Sequence, residues 1–360
     1  MNMAILATPT YLLTGFLGSG KTTLLNNWLK QPEFSDVAVI VNEFGAVGID
    51  NDLISKSDED TIELTTGCLC CTVRGSLVET LMALYVKREQ GQVRHFNAVV
   101  IETTGLADPV PVIQALMTTP VSGNFHLAKV ITTVEAPQGL STIDRHAEAA
   151  KQVAVADDIV ITKGDLVAEG HVDVANALKT LNPGAPIHNT TPSAPLALSA
   201  IIGSGPLETS AQFHGPKYWQ NADDIKQDDR HHHRHDLNRH NSEIGSFVLT
   251  FDEPLRWQEV AAWMDALVIA HGEDILRVKG ILEIENTDQP IVVQSVQKLF
   301  HPPFALEQWP DGTRQSRVVF ITRAISESFV REVFDIIRSA RKPSTPPSIL
   351  SELELTGAAS

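Results

Sequence analysis

Cysteine is scarce in this chain, and positive charge is in deficit. The 360 residues include 3 cysteines, and 28 Lys and Arg stand against 44 Asp and Glu, which gives a formal net charge of −16. Nucleic acids and anionic membranes attract clustered positive charge, so this acidic balance argues against both as general partners. The sequence therefore predicts a protein with no nucleic-acid partner and no membrane partner.

Long hydrophobic runs are also missing. No apolar stretch approaches the roughly 20 residues of a membrane-spanning helix, and residues 1–7 lack a basic leader. These absences predict a cytoplasmic protein. The hydrophobic fraction of 43% is ample for packed cores, and a chain of this length is expected to form about two domains.

The three cysteines, Cys68, Cys70 and Cys71, lie within one run of four residues. Adjacent cysteines rarely meet disulfide geometry, and disulfide frameworks spread their cysteines along the chain. Thiolates bind zinc and also cobalt, and a shell left open by three thiolates favours an exchangeable metal. Two alternatives to metal binding remain open. The cysteines could be buried as small hydrophobic residues, or Cys68 and Cys71 could form a redox pair.

The most informative stretch that is present is GFLGSGKT, residues 15–22, which has the pattern of a phosphate-binding loop. An apolar strand precedes it and a helical pattern follows, as this loop requires. Lys21 is predicted to contact the β- and γ-phosphates, and the Thr22 hydroxyl to bind Mg²⁺. The candidate nucleotide ligands here are Gly15, Gly18, Ser19, Gly20, Lys21, Thr22 and Thr23.

Acidic residues follow two of the predicted strands. Glu102 comes directly after an apolar strand and Gly105 shortly after it, which is a Walker B arrangement with a γ-phosphate sensor. Glu43 and Asp50 follow the strand at 37–41, where they could lie near the phosphates or merely cap a turn. The candidate catalytic residues are Lys21, Glu102 and Glu43, and the candidate Mg²⁺ ligands are Thr22, Glu43, Asp50 and Glu102.

The run Thr162-Lys163-Gly164-Asp165 follows a later strand and resembles a guanine-binding motif. One carboxylate can accept both donors on the guanine edge, so Asp165 is predicted to select the base, with the Lys163 stem along the ring. Thr162 replaces the usual Asn, and ATP therefore remains an alternative to GTP.

Beyond residue 190 the predicted order is interrupted. Residues 191–243 are predicted to form a flexible linker whose His231, His232, His233 and His235 could collect metal or could simply be solvated. Residues 244–342 have the strand and helix patterns of a compact α+β domain. Residues 343–360 are predicted to be a disordered tail.

The series GFLGSGKTT, VNEFGAVGID, ELTTGCLCC, VVIETTGLADP and TKGDL resembles the CobW-like family of P-loop GTPases. That family handles metals in a GTP-dependent way and is related to the nickel-insertion GTPases of urease and hydrogenase. The resemblance implies that the cysteine run binds metal, that Glu43 and Asp50 belong to a switch segment, and that metal and nucleotide are neighbours. It covers most of the chain, because the family also carries a smaller C-terminal domain.

The predicted fold is therefore α/β, with a P-loop NTPase domain at 1–190 built as a doubly wound, mostly parallel sheet, followed by a smaller α+β domain. The predicted function is a GTP-hydrolysing metallochaperone that passes a divalent metal, with zinc favoured and Co²⁺ possible, to a client metalloprotein. The alternatives are a zinc-buffering or stress-regulatory binding protein, a thiol redox switch, and a cobalt chaperone for cobalamin synthesis or nitrile hydratase. A homo-oligomer is possible.

Overall fold

A computed structural model describes residues 7–34, 36–42, 61–63, 69–72, 76–167, 172–202, 244–310 and 312–340. The strands are β1 Thr8–Gly15, β2 Val37–Asn42, β3 Thr61–Glu63, β4 Leu69–Thr72, β5 Ala98–Thr103, β6 Phe125–Glu135, β7 Asp158–Thr162, β8 Ile187–Asn189, β9 Ile244–Phe251, β10 Ile275–Leu282, β11 Ile291–Val296, β12 Leu299–Phe300, β13 Phe304–Ala305 and β14 Ser316–Arg323. The helices are α1 Lys21–Leu29, α2 Leu77–Glu89, α3 Val110–Met117, α4 Gly139–Arg145, α5 Ala147–Ala154, α6 Val172–Leu181, α7 Ser199–Ile202, α8 Trp257–His271 and α9 Glu327–Ala340.

The described residues of the first domain form an eight-stranded sheet in the order β3-β4-β2-β5-β1-β6-β7-β8. Every neighbouring pair is parallel except β3 and β4, which are antiparallel. Because helices cover both faces of a parallel sheet, its strands are continuous apolar runs. The predicted doubly wound, mostly parallel sheet is thus confirmed.

Alternate side chains of β1 enter different cores. Tyr11 and Leu13 join the cluster that includes Trp28 of α1, whereas Leu12 joins the cluster that includes Leu81 of α2. Successive side chains of a strand point to opposite faces, so one short apolar run anchors helices on both sides of the sheet. This packing fixes the end of β1, where the phosphate-binding loop begins.

Packing of the first domain continues past the predicted boundary at residue 190. Leu198 and Ile201 are buried in the core around α1, and the indole Nε1 of Trp28 donates to the carbonyl of Leu196 at 3.0 Å. Residues 191–202, which the sequence assigned to the linker, therefore pack on the sheet of the first domain. The sequence did not indicate this packing, because the polar residues after position 202 outweigh the few apolar residues, such as Leu198 and Ile201, that are buried.

The second domain is an antiparallel sheet in the order β12-β11-β10-β14-β9, with β13 paired to β11. Helices α8 and α9 cover one face around Trp263, which lies 5.4 Å from Phe320 and 4.9 Å from Phe334 between ring centroids. The predicted α+β architecture is confirmed, because helices pack against a purely antiparallel sheet.

The second domain also packs on the first. Ile244, Leu276 and Ile321 of its sheet share a core cluster with residues of α5 and α6, Val153 and Leu181 among them. The two sheets are therefore joined through helices of the first domain. None of the helices in the described part of the chain has the length and apolar character of a membrane-spanning segment.

Candidate nucleotide site

The phosphate-binding loop joins β1 to α1, as its sequence predicts. Gly15, Gly18 and Gly20 have φ values of 142°, 74° and 91°, a region that L side chains rarely adopt. A Cβ on Gly15 would lie 2.4 Å from the Thr133 hydroxyl of β6. Ser19 and Thr133 share a hydrogen bond of 2.6 Å between their hydroxyls, which ties the loop to β6.

Lys21 begins α1, and its ammonium turns back over the loop. Nζ donates to the carbonyl of Gly15 at 2.9 Å and to that of Phe16 at 3.2 Å, and the residue is 8% exposed. The ammonium thus lies beside the N-terminus of a helix, whose backbone N–H groups also favour anions. Both features suit the binding of a polyphosphate.

Thr22 and Glu102 meet at the mouth of the loop. The Thr22 hydroxyl donates to Oε1 of Glu102 at 2.6 Å, and Glu102 lies on β5, the neighbour of β1. Hydroxyl and carboxylate oxygens are the donor set that Mg²⁺ takes beside a bound phosphate. These two residues therefore fit a Mg²⁺ ion between them and the phosphates.

Gly105 approaches the phosphate-binding loop from the segment after β5. A Cβ at this position would lie 2.6 Å from the backbone nitrogen of Leu17. The carbonyls of Gly105 and Ala107 both accept hydrogen bonds from Nε2 of Gln152, at 3.2 and 3.0 Å. The predicted sensor glycine thus lies against the loop and is held there by a residue of α5.

The guanine-motif residues lie on the other side of the loop. The hydroxyl of Thr162 donates to the carbonyl of Ser19 at 2.7 Å, so this residue braces the loop although it replaces the usual Asn. Lys163 has a left-handed φ of 56° and pairs with Glu135 at 2.5 Å. Asp165 is exposed, where a base could reach it.

Several predicted site residues lie outside the described residues. They are Glu43, Asp50, Cys68, His231, His232, His233 and His235. Among the residues that the structure describes, no three His, Cys, Asp or Glu side chains cluster as a metal site.

The backbone of Cys70 and Cys71 is described as part of β4. Cys71 is in register with Ile40 of β2, which is in register with Ile101 of β5, and Thr72 is related to Glu102 in the same way through Val41. Neighbouring strands lie about 4.8 Å apart. The end of β4 is therefore roughly 10 Å from the Glu102 backbone, at the same edge of the sheet.

Sequence reasoning missed two groups of residues that the fold brings together. Gln152 is fully buried at the back of the phosphate-binding loop. Asp157, just before β7, is paired with Arg277 and Lys279 of β10. No local motif marks these residues, because their partners are 45 or more positions away in the chain.

A phosphate-binding loop between strand and helix, with a lysine, a threonine–acid pair and a glycine converging on it, defines a P-loop nucleotide-binding protein. Residues 9–189 match the CobW/HypB/UreG nucleotide-binding domain, and residues 244–338 match the cobalamin synthesis protein cobW C-terminal domain. The chain belongs to this CobW-like family and is a P-loop GTPase.

Curated relatives and a solved structure agree with this assignment. The chain is 32% identical to the zinc chaperone YjiA of Escherichia coli strain K12 over 91% of this chain and 98% of that protein. It is 30% identical to the zinc chaperone CobW of Pseudomonas aeruginosa, with 89% of each chain covered. The crystal structure of Zn(II)-bound YjiA GTPase from E. coli is similar to it with a TM-score of 0.72 and 29% identity, over 94% of this chain and all of that one.

Proposed function

We propose that this GTPase is a zinc metallochaperone, which binds Zn²⁺ beside its nucleotide and passes it to a client metalloprotein. The observation that carries this proposal is the parallel pairing of β4 with β2 and of β2 with β5. It sets the backbone of Cys70 and Cys71 two strands from Glu102, which pairs with Thr22 of the phosphate-binding loop. A metal site at this distance can respond to the nucleotide.

The chemistry of the residues supports zinc as the cargo. Cys68, Cys70 and Cys71 are the proposed ligands, because thiolates bind Zn²⁺ well, and Co²⁺ would use the same set. The relatives named zinc chaperones match nearly the whole chain. Glu43 and Asp50 are proposed to belong to a switch segment that connects this site to the phosphates.

The GTPase residues have separable roles in this proposal. Bound Mg²⁺ would neutralise phosphate charge, and Thr22 and Glu102 would hold it. When nucleotide binds, the Lys21 ammonium gives up its hydrogen bonds to the loop carbonyls and contacts the β- and γ-phosphates instead. The N–H of Gly105 contacts the γ-phosphate. Asp165 accepts the two donors of the guanine edge. Together with Glu43, these residues order the neighbouring segments while the γ-phosphate is present.

Nucleotide and metal affinities are then linked. If GTP raises the affinity for Zn²⁺, Zn²⁺ must raise the affinity for GTP by the same factor. Hydrolysis removes the γ-phosphate contacts that order the switch segments, so the metal site loosens and its ion becomes available to a client.

A competition titration tests this proposal. Zn²⁺ and Co²⁺ are titrated into reduced protein with Mg²⁺ and a chromophoric chelator, in the presence of a non-hydrolysable GTP analogue, GDP or no nucleotide. We expect one tight zinc site with the GTP analogue, its loss in Cys70→Ser, and faster release to the chelator when GTP is hydrolysed. Equal metal affinity in the three nucleotide conditions would contradict the proposal.

The histidine tract supplies the control. Deleting residues 228–240 leaves all three cysteines in place. A chaperone keeps its single nucleotide-linked site after this deletion, whereas a zinc-buffering protein loses most of its capacity. A reversible Cys68–Cys71 disulfide that forms without metal would instead identify a redox switch.

A further inference from the structure

The segment after β5 is held from behind by α5. We call residues 105–108 the sensor segment, because they contain Gly105. Gln152 donates both hydrogens of its amide to the carbonyls of Gly105 and Ala107. One position earlier, the ammonium of Lys151 contacts Oδ2 of Asp108 at 2.6 Å. Neighbouring residues of one helix thus hold both ends of the sensor segment.

The orientation of the Gln152 amide follows from these contacts. Its Nε2 faces two carbonyl oxygens, and a flipped amide would instead direct Oε1 at both of them, which is repulsive. In this orientation Oε1 is buried with no hydrogen-bond partner among the described residues. Oε1 thus lacks a hydrogen bond while Nε2 donates to both carbonyls of the sensor segment. An apolar side chain would fill this space without leaving a buried polar atom unpaired, so the amide is explained by its two hydrogen bonds and not by packing.

Helix α5 is itself firmly anchored. The backbone carbonyl of Gln152 accepts from the Thr132 hydroxyl of β6 at 2.8 Å. The amide of Asn182 donates to the carbonyls of Val153 and Ala156 at 2.8 and 2.9 Å. These bonds fix the end of α5 to the central sheet and to α6. The Gln152 side chain therefore holds the sensor segment from a rigid base.

The held segment lies where the γ-phosphate of GTP is expected. Gly105 is packed against the backbone of Leu17, and Gln152 lines a pocket together with Phe16, Leu17 and Ser19 of the phosphate-binding loop. The γ-phosphate of GTP is expected to accept a hydrogen bond from the N–H of Gly105. GDP has no γ-phosphate and therefore does not use this contact. Holding Gly105 in position therefore favours one nucleotide over the other.

We propose that Gln152 is a positioning residue of the GTPase, which raises the affinity for GTP relative to GDP by holding Gly105 against the phosphate-binding loop. The inference rests on the GTPase activity and is independent of metal transfer. In this role the fully buried Gln152 acts through the backbone of the sensor segment.

Gln152→Met tests this role, because methionine has a similar length but no amide. Dissociation constants are measured for GDP and for a non-hydrolysable GTP analogue with Mg²⁺ and without zinc, together with the melting temperature. We expect the affinity for the GTP analogue to fall about tenfold, as the loss of two neutral hydrogen bonds would allow. The affinity for GDP should stay nearly unchanged, whereas the melting temperature should fall modestly, because the carbonyls of Gly105 and Ala107 lose their donor.

Gln31→Met is the matched control. Its amide also bridges distant backbone groups, since it donates to Leu196 and accepts from Leu198, but these lie in residues 191–202 rather than in the sensor segment. We expect no change in the ratio of the two affinities for this variant.

Equal weakening of both nucleotides by Gln152→Met, or an unchanged ratio, would overturn the proposal. If the variant does not fold, Lys151→Met replaces it, because Lys151 contacts the sensor segment from the surface. The proposal then requires a smaller shift of the ratio in the same direction, and its absence would reject the role. Retained GDP binding distinguishes either result from a general failure of the nucleotide site.

Discussion

At the scale of single residues, Thr162 changes how the guanine motif is interpreted. In the sequence, Thr162 in place of the usual Asn left ATP open as an alternative to GTP, because a hydroxyl replaces an amide that normally braces the guanine-binding loop. The hydroxyl donates to the carbonyl of Ser19 at 2.7 Å. The side chain of Thr162 also lies so close to Gly20 that a Cβ added there would be 3.3 Å away, closer than an ordinary van der Waals contact. The short residue works because the loop lies close to β7.

We predict that Thr162→Val weakens the binding of GTP and GDP alike. Valine has the same shape but no hydroxyl, so the Ser19 carbonyl loses a hydrogen bond of about 0.5–1.5 kcal/mol, or roughly a 2- to 10-fold change in affinity. Titration with fluorescent nucleotides measures it. Thr180→Val, which removes an exposed hydroxyl bonded within α6, is the control, and equal effects of the two variants would contradict the prediction.

Gly105 gives a second prediction at this scale. In Gly105→Ala, the new Cβ would lie 2.6 Å from the Leu17 nitrogen, so the sensor segment must move away from the phosphate-binding loop. A displacement of about 1 Å can reduce turnover roughly 100-fold. Gly123→Ala is the matched control, because no residue beyond its neighbours in the chain comes within 4 Å of its Cβ position. We expect a much lower kcat for Gly105→Ala than for Gly123→Ala. Similar kcat values for the two variants would count against the sensor role of Gly105.

At the scale of elements, the charged residues of β10 are the main surprise. Arg277 and Lys279 are each 3% exposed and both contact Asp157 of the first domain. Burial alone would raise the pKa of Asp157, but the charges of Arg277 and Lys279 hold it well below its usual range. Burial lowers the pKa of Lys279 to about 8, against the opposing effect of Asp157. The contact between the two domains thus includes a buried ionic cluster beside its apolar core.

His301 lies beside this cluster, and we predict that it makes stability depend on pH. Burial is the main cause that lowers the pKa of His301 to about 4; Arg277, Lys279 and His126 lower it further, and Asp157 opposes them. Burial also lowers the pKa of His126. Between pH 6.5 and 4 the unfolded chain binds more protons at position 301 than the folded protein does, so protonation favours unfolding.

The free energy of unfolding should therefore fall as pH decreases from 6.5 to 4, and less steeply in His301→Asn. Urea titrations of both proteins at several pH values measure this difference. The lowered pKa of Asp157 reduces stability mainly as the pH falls through and below its unfolded value of 3.8, and both proteins carry this carboxyl. Parallel pH profiles for the two proteins would show that His301 is not responsible.

At the scale of the whole molecule, the two domains share one core. Ile244, Leu276 and Ile321 of the second sheet pack with Val153 and Leu181 of the first domain. Apolar side chains in a common cluster lose their contacts together when either partner unfolds. The domains are therefore expected to be thermodynamically coupled.

We predict a single cooperative thermal transition for the full chain. A chain that ends at residue 243 should melt at a lower temperature or aggregate, because the α5 and α6 surface that faces β9 and β10 becomes exposed. Calorimetry measures the number of transitions in the full chain and the melting temperature of the shortened one. A chain that ends at residue 340, after α9, is the control and should melt like the full protein, and two independent transitions in the full chain would contradict the prediction.

Much of this protein follows from local sequence. The glycines, Lys21 and Thr22 predict the phosphate-binding loop because its chemistry lies in consecutive residues. Apolar runs before Glu102 and Thr162 predict parallel strands, since such strands are buried on both faces. The predicted organisation, an α/β domain followed by an α+β domain, was confirmed, because it too follows from the hydrophobic pattern of each strand and helix. The roles of Cys68, Cys70 and Cys71 stay predictions.

Tertiary structure alone decided the contacts between distant segments. The partners of Gln152 are 47 and 45 positions away, and those of Asp157 lie in another domain, 120 positions away for Arg277. A buried amide or carboxylate must find partners, but its sequence neighbours do not reveal which ones. Hydrophobic periodicity and motif spacing therefore determined the elements and the phosphate-binding loop, whereas close packing of those elements decided what holds Gly105 and what joins the domains.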